Sequence, residues 1–461
     1  MWSQEYGRYL GISTWCLRVG CLTEPNHNGV ELHGFLSYLV KCNVEGRSYK
    51  VYGAKGNKSE TTSILCTWPG SFTHLTRSPR CGEIYDIGDG RNNSTSILEA
   101  FDSLSGNKSM RILVTGGAGF VGSNLAIALK QHFHSADVVS MDNLYRKGSE
   151  LNVPRLAAGN VLFCRGDVRD PRTFPEGPFD FVIECSAEPS VLAGIEGSPD
   201  YLMQTNLMGA YHCLEKARAW KAGFLFLSTS RVYPVKRLEQ HPWQEDATRY
   251  SWSDDGTPGI TREGVSEAMD MSGARSLYGF TKYAAEQLIE EYRDAFQLRT
   301  IVNRCGVIAG PWQFGKVDQG VASLWVLAHH FGRTLAYIGY GGLGKQVRDF
   351  LHVYDLCDLI TEQISEFDRW DGWVGNVSGG LSNTGSLAEL THLCRESVGR
   401  QVPIHIQPIT RPSDLRIYIG DCARLFERTG WRPRRDLRCI VDDIAGWAAQ
   451  NSTALKEALT F

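Results

Sequence analysis

From residue 110 onward, short apolar runs alternate with longer stretches whose apolar residues recur at helical spacing. The runs predict strands at 111–115, 137–141, 160–165, 179–185, 223–228 and 299–304. The 3.6-residue pattern predicts helices over roughly 120–132, 200–219 and 276–297. Such alternation builds βαβ units, and continuously apolar strands belong to a parallel sheet covered on both faces. Stretches rich in Pro, Gly and Trp at 233–275 and 309–320 read as loops, where sites form at the carboxyl edge of such a sheet. After about 305 the pattern is irregular and richer in aromatics and Gly, which predicts a smaller C-terminal lobe.

The first strand, ILV at 112–114, runs into Gly116-Gly117-Ala118-Gly119-Phe120-Val121-Gly122 and then into the first helix. Glycines at Gly116, Gly119 and Gly122 suit a tight strand-to-helix turn, backbone approach to a pyrophosphate, and close helix–strand packing. The second apolar run ends in Asp142, about 20 residues further on, where an acid can bind the adenine ribose 2′-hydroxyl. The reading is a Rossmann doubly wound parallel sheet that binds NAD rather than NADP. Arg146 and Lys147 weigh the other way, since a nearby base can meet a 2′-phosphate.

Residues 1–109 hold no phosphate loop and no clear core of their own. They align with the later chain at a constant offset: Glu5-Tyr6 with Glu291-Tyr292, Arg18 with Arg304, Gly20 with Gly306, Pro25 with Pro311, Gly46-Arg47 with Gly332-Arg333. Further on, IYDIGDGRNNSTSILEAF (84–101) resembles VGNVSGGLSNTGSLAEL (374–390). This is an internal repeat at domain scale. Residues 1–109 therefore read as a truncated repeat of the C-terminal half, and 110–461 as the complete unit. Within that unit the cofactor part spans about 110–304 and the substrate lobe mostly about 305–445. A regulatory or dimerising lobe is the alternative for 1–109.

Composition narrows the class without naming it. The chain has 461 residues and a formal charge of −3, which gives no footprint for nucleic acid. No apolar run approaches the roughly 18 residues of a membrane span. MWSQEYGRYLGIS lacks a basic region followed by an apolar core, so no secretory leader is expected. Thirteen cysteines lie scattered, without a CxxC pair or Cys/His cluster; reduced thiols in a cytoplasmic protein without a metal site are expected.

Tyr278-Gly-Phe-Thr-Lys282 opens the third helix, with Tyr278 and Lys282 at i and i+4 on one face. An ammonium there favours the phenolate and lowers the tyrosine pKa from about 10. A phenolate can take the proton of a sugar hydroxyl while hydride leaves the same carbon for a nicotinamide. The apolar strand before STSRVY delivers Ser228, Thr229 and Ser230 to the same edge.

Together TGGAGFVGSN, DNL (142–144), GDV (166–168), STSRVY and YGFTK resemble the extended short-chain dehydrogenase/reductase family. Segments 310–320, 344–349 and 411–416 are similar to its nucleotide-sugar epimerases, in particular to those that invert C2 of a CDP-sugar. The resemblance implies that Tyr278, Lys282 and Thr229 are catalytic. It implies NAD binding by Gly116, Gly119, Phe120, Val121, Gly122, Asp142, Asn143, Asp167, Val168 and Ala187, with Tyr278 and Lys282. It assigns Gln319, Arg348 and Arg411 to a nucleotide-sugar substrate, the two guanidinium forks suiting a diphosphate. Asn206 is open between a place beside the substrate and an ordinary core amide. By resemblance alone a homodimer or tetramer is expected.

Two departures stand out. Glu184-Cys-Ser-Ala187-Glu-Pro189 replaces the family's His-Leu-Ala-Ala after the fourth strand. Thr229 is followed by Ser230-Arg231, not by the Asp-Glu pair that sugar 4,6-dehydratases use to eliminate water. The expectation is therefore epimerisation through a transient keto sugar. A UDP-sugar 4-epimerase, an NAD(P)-dependent reductase and a non-catalytic NAD sensor are the rivals.

Overall fold

The computed structural model describes residues 109–459, except 196, 254–256 and 316–318, and five short strands before residue 109. The chain divides into two compact units, Met1–Lys108 and Ser109–Phe461.

In the first unit, Trp15–Val19 pairs in parallel with Glu83–Ile87, Trp15 lying opposite Glu83. Ser59–Ile64 pairs in parallel with Cys21–Thr23 and antiparallel with Ser94–Ser96. The remaining residues that carried the sequence repeat lie outside the described residues.

The second unit is built on seven parallel strands: β1 (Arg111–Thr115), β2 (Asp137–Asp142), β3 (Leu162–Arg165), β4 (Phe181–Glu184), β5 (Gly223–Thr229), β6 (Thr300–Cys305) and one later strand. Six lie where the apolar runs placed them. The seventh, Trp373–Val377, comes from the part of the chain that reads as irregular. With β7 (Val307–Ala309), β8 (Leu335–Ile338) and β9 (Val347–His352) before it, it is β10, and the sheet order is β10-β6-β5-β4-β1-β2-β3. Its WVGNV is short and carries Gly375 and Asn376, so no apolar run announces it; pairing of Ile301 with Trp373 and of Cys305 with Val377 holds it in place.

Helices cover both faces. On one, α1 (Phe120–His132) packs with α5 (Val353–Ser365) over Ile112, Val114, Ile183, Leu225 and Ile301. On the other, α2 (Gly209–Trp220) and α3 (Leu277–Phe296) cover Leu113, Val182, Phe224, Phe226 and Val302. Alternate residues of each strand thus feed the two cores, as strand geometry requires. The helix leading into α2 contains a π-helical stretch, Met203–Met208.

The C-terminal lobe has its own core, in which α4 (Val321–Phe331), α6 (Leu387–Val398) and α7 (Leu437–Gln450) bury Trp325, Leu390, Ile440 and Trp447. Strands β7, β9 and β11 (Thr384–Ser386) form its small sheet, with β13 (Ile417–Tyr418) beside β9, while β8 pairs with β12 (Ile404–Gln407). Residues 233–275, read as loop, contain the helix Val235–Gln240 and two short hairpins, Trp243–Glu245 with Tyr250–Trp252 and Ile260–Thr261 with Gly264–Val265. No helix among the described residues is long and apolar enough to cross a membrane.

Candidate active site and cofactor cleft

The glycine loop joins β1 to α1 at the carboxyl edge of the sheet. Gly116 has φ +63°, and a Cβ there would lie 2.8 Å from the Cys185 carbonyl. A Cβ on Gly122 would clash with the Gly116 carbonyl oxygen, so helix and loop approach as only glycine permits. Gly119 caps α1 without a side-chain hydrogen bond, which leaves the first helical N–H groups directed at the cleft. This cradle fits the pyrophosphate of a dinucleotide.

Asp142, at the end of β2, accepts from the N–H of Ala118 (3.1 Å) and of Leu144 (2.8 Å). Burial lifts its carboxyl above the ordinary range against those donors. Asn143 donates to Asp167 (3.0 Å), whose carboxyl the Arg169 guanidinium holds down to about 2. Asp142, Asn143, Val168, Ala187 and Tyr201 line one stretch of the cleft, the side on which the ribose and adenine would lie. Arg146 does not stand clear for a 2′-phosphate: it donates to the Phe314 carbonyl (2.7 Å) and to Gln319.

Thr229 ends β5, and Tyr278 and Lys282 occupy the first turns of α3, whose N-cap Ser276 accepts from the Gly279 N–H (3.0 Å). The Thr229 hydroxyl lies beside the Tyr278 phenol and favours its ionised form. All three side chains line a cleft of about 370 Å³ with Gly116, Phe120, Val121, Gly122 and Ala187. The fold thus brings the glycine loop and the Tyr–Lys–Thr set into one space.

One expectation is corrected here. Spacing alone predicts a depressed tyrosine pKa, but burial pushes Tyr278 above its ordinary value, outweighing Lys282, the Thr229 hydroxyl and Arg231. Lys282 is also engaged: its Nζ lies 3.3 Å from Glu184 Oε2 and 4.1 Å from the centre of the Phe226 ring. Glu184 ends β4, is 1% exposed, and its Oε1 has no partner among the described residues. Cys185 lines the cleft, but burial drives its thiol well upward, which removes the thiolate a nucleophile needs.

A second cavity of about 540 Å³ opens from the cleft into the C-terminal lobe. Gln319, Arg348 and Arg411 line it with Arg231, Gln346, His405 and Asp414. Arg348 donates to Asp414 Oδ1 (3.0 Å) and the Leu415 carbonyl (2.7 Å), and Gln319 donates to Glu188 (3.0 Å). Asn206 lies elsewhere. Its amide accepts from the Glu188 N–H (2.7 Å) and donates to the Glu188 carbonyl (3.0 Å) and Thr281 (3.2 Å). These bonds tie Asn206 to the loop after β4 and to α3. Arg231, a base where sugar 4,6-dehydratases carry an acid, lines both this cavity and the cofactor cleft.

Residues 112–372 match the NAD dependent epimerase/dehydratase family, and the chain belongs to it. It is 30% identical over 356 residues to CDP-paratose 2-epimerase of Salmonella typhi, covering 74% of this chain and 99% of that protein. It is 27% identical to UDP-glucose 4-epimerase of Corynebacterium glutamicum, over 74% of this chain and 95% of that one. Among solved structures, UDP-glucose 4-epimerase of Thermotoga maritima shares the fold with a TM-score of 0.59 at 24% identity, over 74% of this chain and 100% of that one. The family, the glycine cradle and Asp142 make NAD the cofactor.

Proposed function

We propose that the protein epimerises a nucleotide sugar through transient oxidation, with CDP-paratose to CDP-tyvelose inversion at C2 as the reaction. The Thr229–Tyr278–Lys282 set, which lines one cleft with the glycine cradle and adjoins a cavity lined by three arginines, carries this reading. Likeness to the Salmonella enzyme over nearly its whole length supports the choice of sugar. Bound NAD supplies the hydride acceptor, and in the reverse sense the donor.

The protein's own part is to bind, orient and move one proton. Arg348 and Arg411 grip the diphosphate, and the sugar extends toward Tyr278. The Tyr278 phenolic oxygen takes the proton of the sugar hydroxyl and later returns it, which general acid–base catalysis typically makes worth about 10²–10⁴-fold. Its place in the first turn of α3 puts the positive end of the helix dipole behind the developing phenolate. The Thr229 hydroxyl holds the reacting oxygen, and Lys282 steadies the charge and the nicotinamide ribose. The keto sugar then presents its other face. Ser230-Arg231 supplies no carboxylate for eliminating water, so the keto sugar is not diverted.

The test is an NMR time course with CDP-paratose in D2O. Tyvelose formed without solvent deuterium at C2 supports internal hydride return. Deuterium at C2 means proton abstraction from carbon and rejects the mechanism. Turnover of UDP-glucose in place of CDP-paratose selects the second reading, 4-epimerisation, which the UDP-glucose 4-epimerase relatives favour.

For residues 1–109 we propose a truncated copy of the C-terminal half. In support, the strand pairs Trp15–Val19 with Glu83–Ile87 and Ser59–Ile64 with Ser94–Ser96 repeat the registers of β6 with β10 and β9 with β11. Residues 110–461 alone are then expected to fold, hold NAD and turn over normally. Loss of bound NAD in that fragment would give the first unit a role of its own.

A further inference from the structure

Val191, Arg231, Val307, Gln319 and Gly320 line both the cofactor cleft and the larger cavity. Among these Arg231 alone bears a charge, so a guanidinium stands where the two spaces join. Its backbone is fixed from both sides. The Arg231 N–H donates to Thr229 Oγ1 (3.2 Å), closing the turn Ser230–Val232 that follows β5. Gly279, next to Tyr278, leaves room for the Arg231 carbonyl oxygen, and a Cβ on Gly279 would clash with it. The turn is therefore seated on the first turn of α3, beside Tyr278. At the far end of the side chain, Nη1 donates to the Ser413 carbonyl (3.1 Å), adjacent to the Asp414 that pairs with Arg348.

We propose that Arg231 is a further substrate-binding residue, whose guanidinium donates to an oxygen of the substrate at the junction of the two cavities. The contact rests on the nucleotide-sugar reading above. Burial draws the Arg231 pKa down to about 10, helped by Arg348 and opposed by Asp414 and Tyr278, so it stays charged at neutral pH. The planar fork can hold a substrate oxygen in a fixed geometry that lysine does not reproduce. Lysine keeps the charge and loses the fork; methionine loses both.

One set of measurements on the full-length, NAD-loaded protein tests this: KM and kcat for CDP-paratose or UDP-glucose, whichever the wild type turns over. KM is expected to rise about tenfold or more in Arg231→Lys and Arg231→Met, with NAD affinity unchanged. An unchanged KM in Arg231→Lys overturns the contact, and that variant decides it if the methionine protein does not fold. A wild type inert toward both sugars fails the nucleotide-sugar reading and with it the contact.

Discussion

The ammonium of Lys282 lies 3.3 Å from Oε2 of Glu184, and both side chains are buried, at 3% and 1% exposure. Taking two charges out of water is expensive, and removing one partner strands the other. Glu184→Gln is therefore expected to destabilise the protein by about 3–5 kcal/mol in denaturant unfolding. Adding Lys282→Met should recover much of that loss, because no buried charge is then left unpaired. A single Glu184→Gln variant as stable as wild type would mean that the pair is not formed in solution.

The contact between Gly122 and the Gly116 carbonyl gives a steric prediction. Gly122→Ala puts a methyl group into a backbone oxygen, which cannot swing aside as a flexible side chain can. Helix α1 must move off the loop, and the N–H groups that face the cleft move with it. Isothermal titration should show NAD binding weakened at least about tenfold, since close backbone approach is what the glycine supplies. Alanine helix propensity alone would stabilise the variant, by about 1 kcal/mol. Unaltered affinity with a raised melting temperature would show that the loop does not need the glycine.

Local pattern carried much of this architecture. The six early strands and the three predicted helices were legible because each is a run or a stripe within one segment. The glycine loop was legible because its spacing has a mechanical reason. The seventh strand was not, since Gly375 and Asn376 interrupt its apolar character and only its partner β6 defines it. The Glu184–Lys282 pair joins residues 98 apart, so no window of sequence contains it. Spacing gives the wrong direction for the Tyr278 shift for a similar reason: i,i+4 reveals the lysine but not the burial that outweighs it. Asn206 stays open in the sequence because an amide on a helix looks the same whether it faces a ligand or a loop.

Tyr278→Phe keeps the ring that packs in the cleft and removes only the phenolic oxygen. NAD affinity should therefore hold, while turnover of the nucleotide sugar falls by about 10²–10⁴-fold. Stopped-flow absorbance of the nicotinamide would separate the two effects. A variant within tenfold of wild type would move the acid/base role to another group.

Asp349 gives a pH dependence of stability whose sign can be worked out. It lies on β9 with 0% exposure, accepts from the Gly420 N–H (2.7 Å) and the Ser378 hydroxyl, and has no partner at Oδ1 among the described residues. Burial lifts its carboxyl from 3.8 to about 6 despite those two donors. The folded state thus holds this proton more tightly than the unfolded chain does. Its contribution is fully present below about pH 4 and is lost as pH rises through about 6. A shift of roughly two units corresponds to about 3 kcal/mol. Asp349→Asn keeps an acceptor for Gly420 and Ser378 but cannot ionise. Unfolding free energies measured from pH 4 to 7 should therefore fall more steeply in wild type than in the asparagine variant, by up to about that amount. Parallel curves would mean that Asp349 titrates at its ordinary value, with water reaching Oδ1.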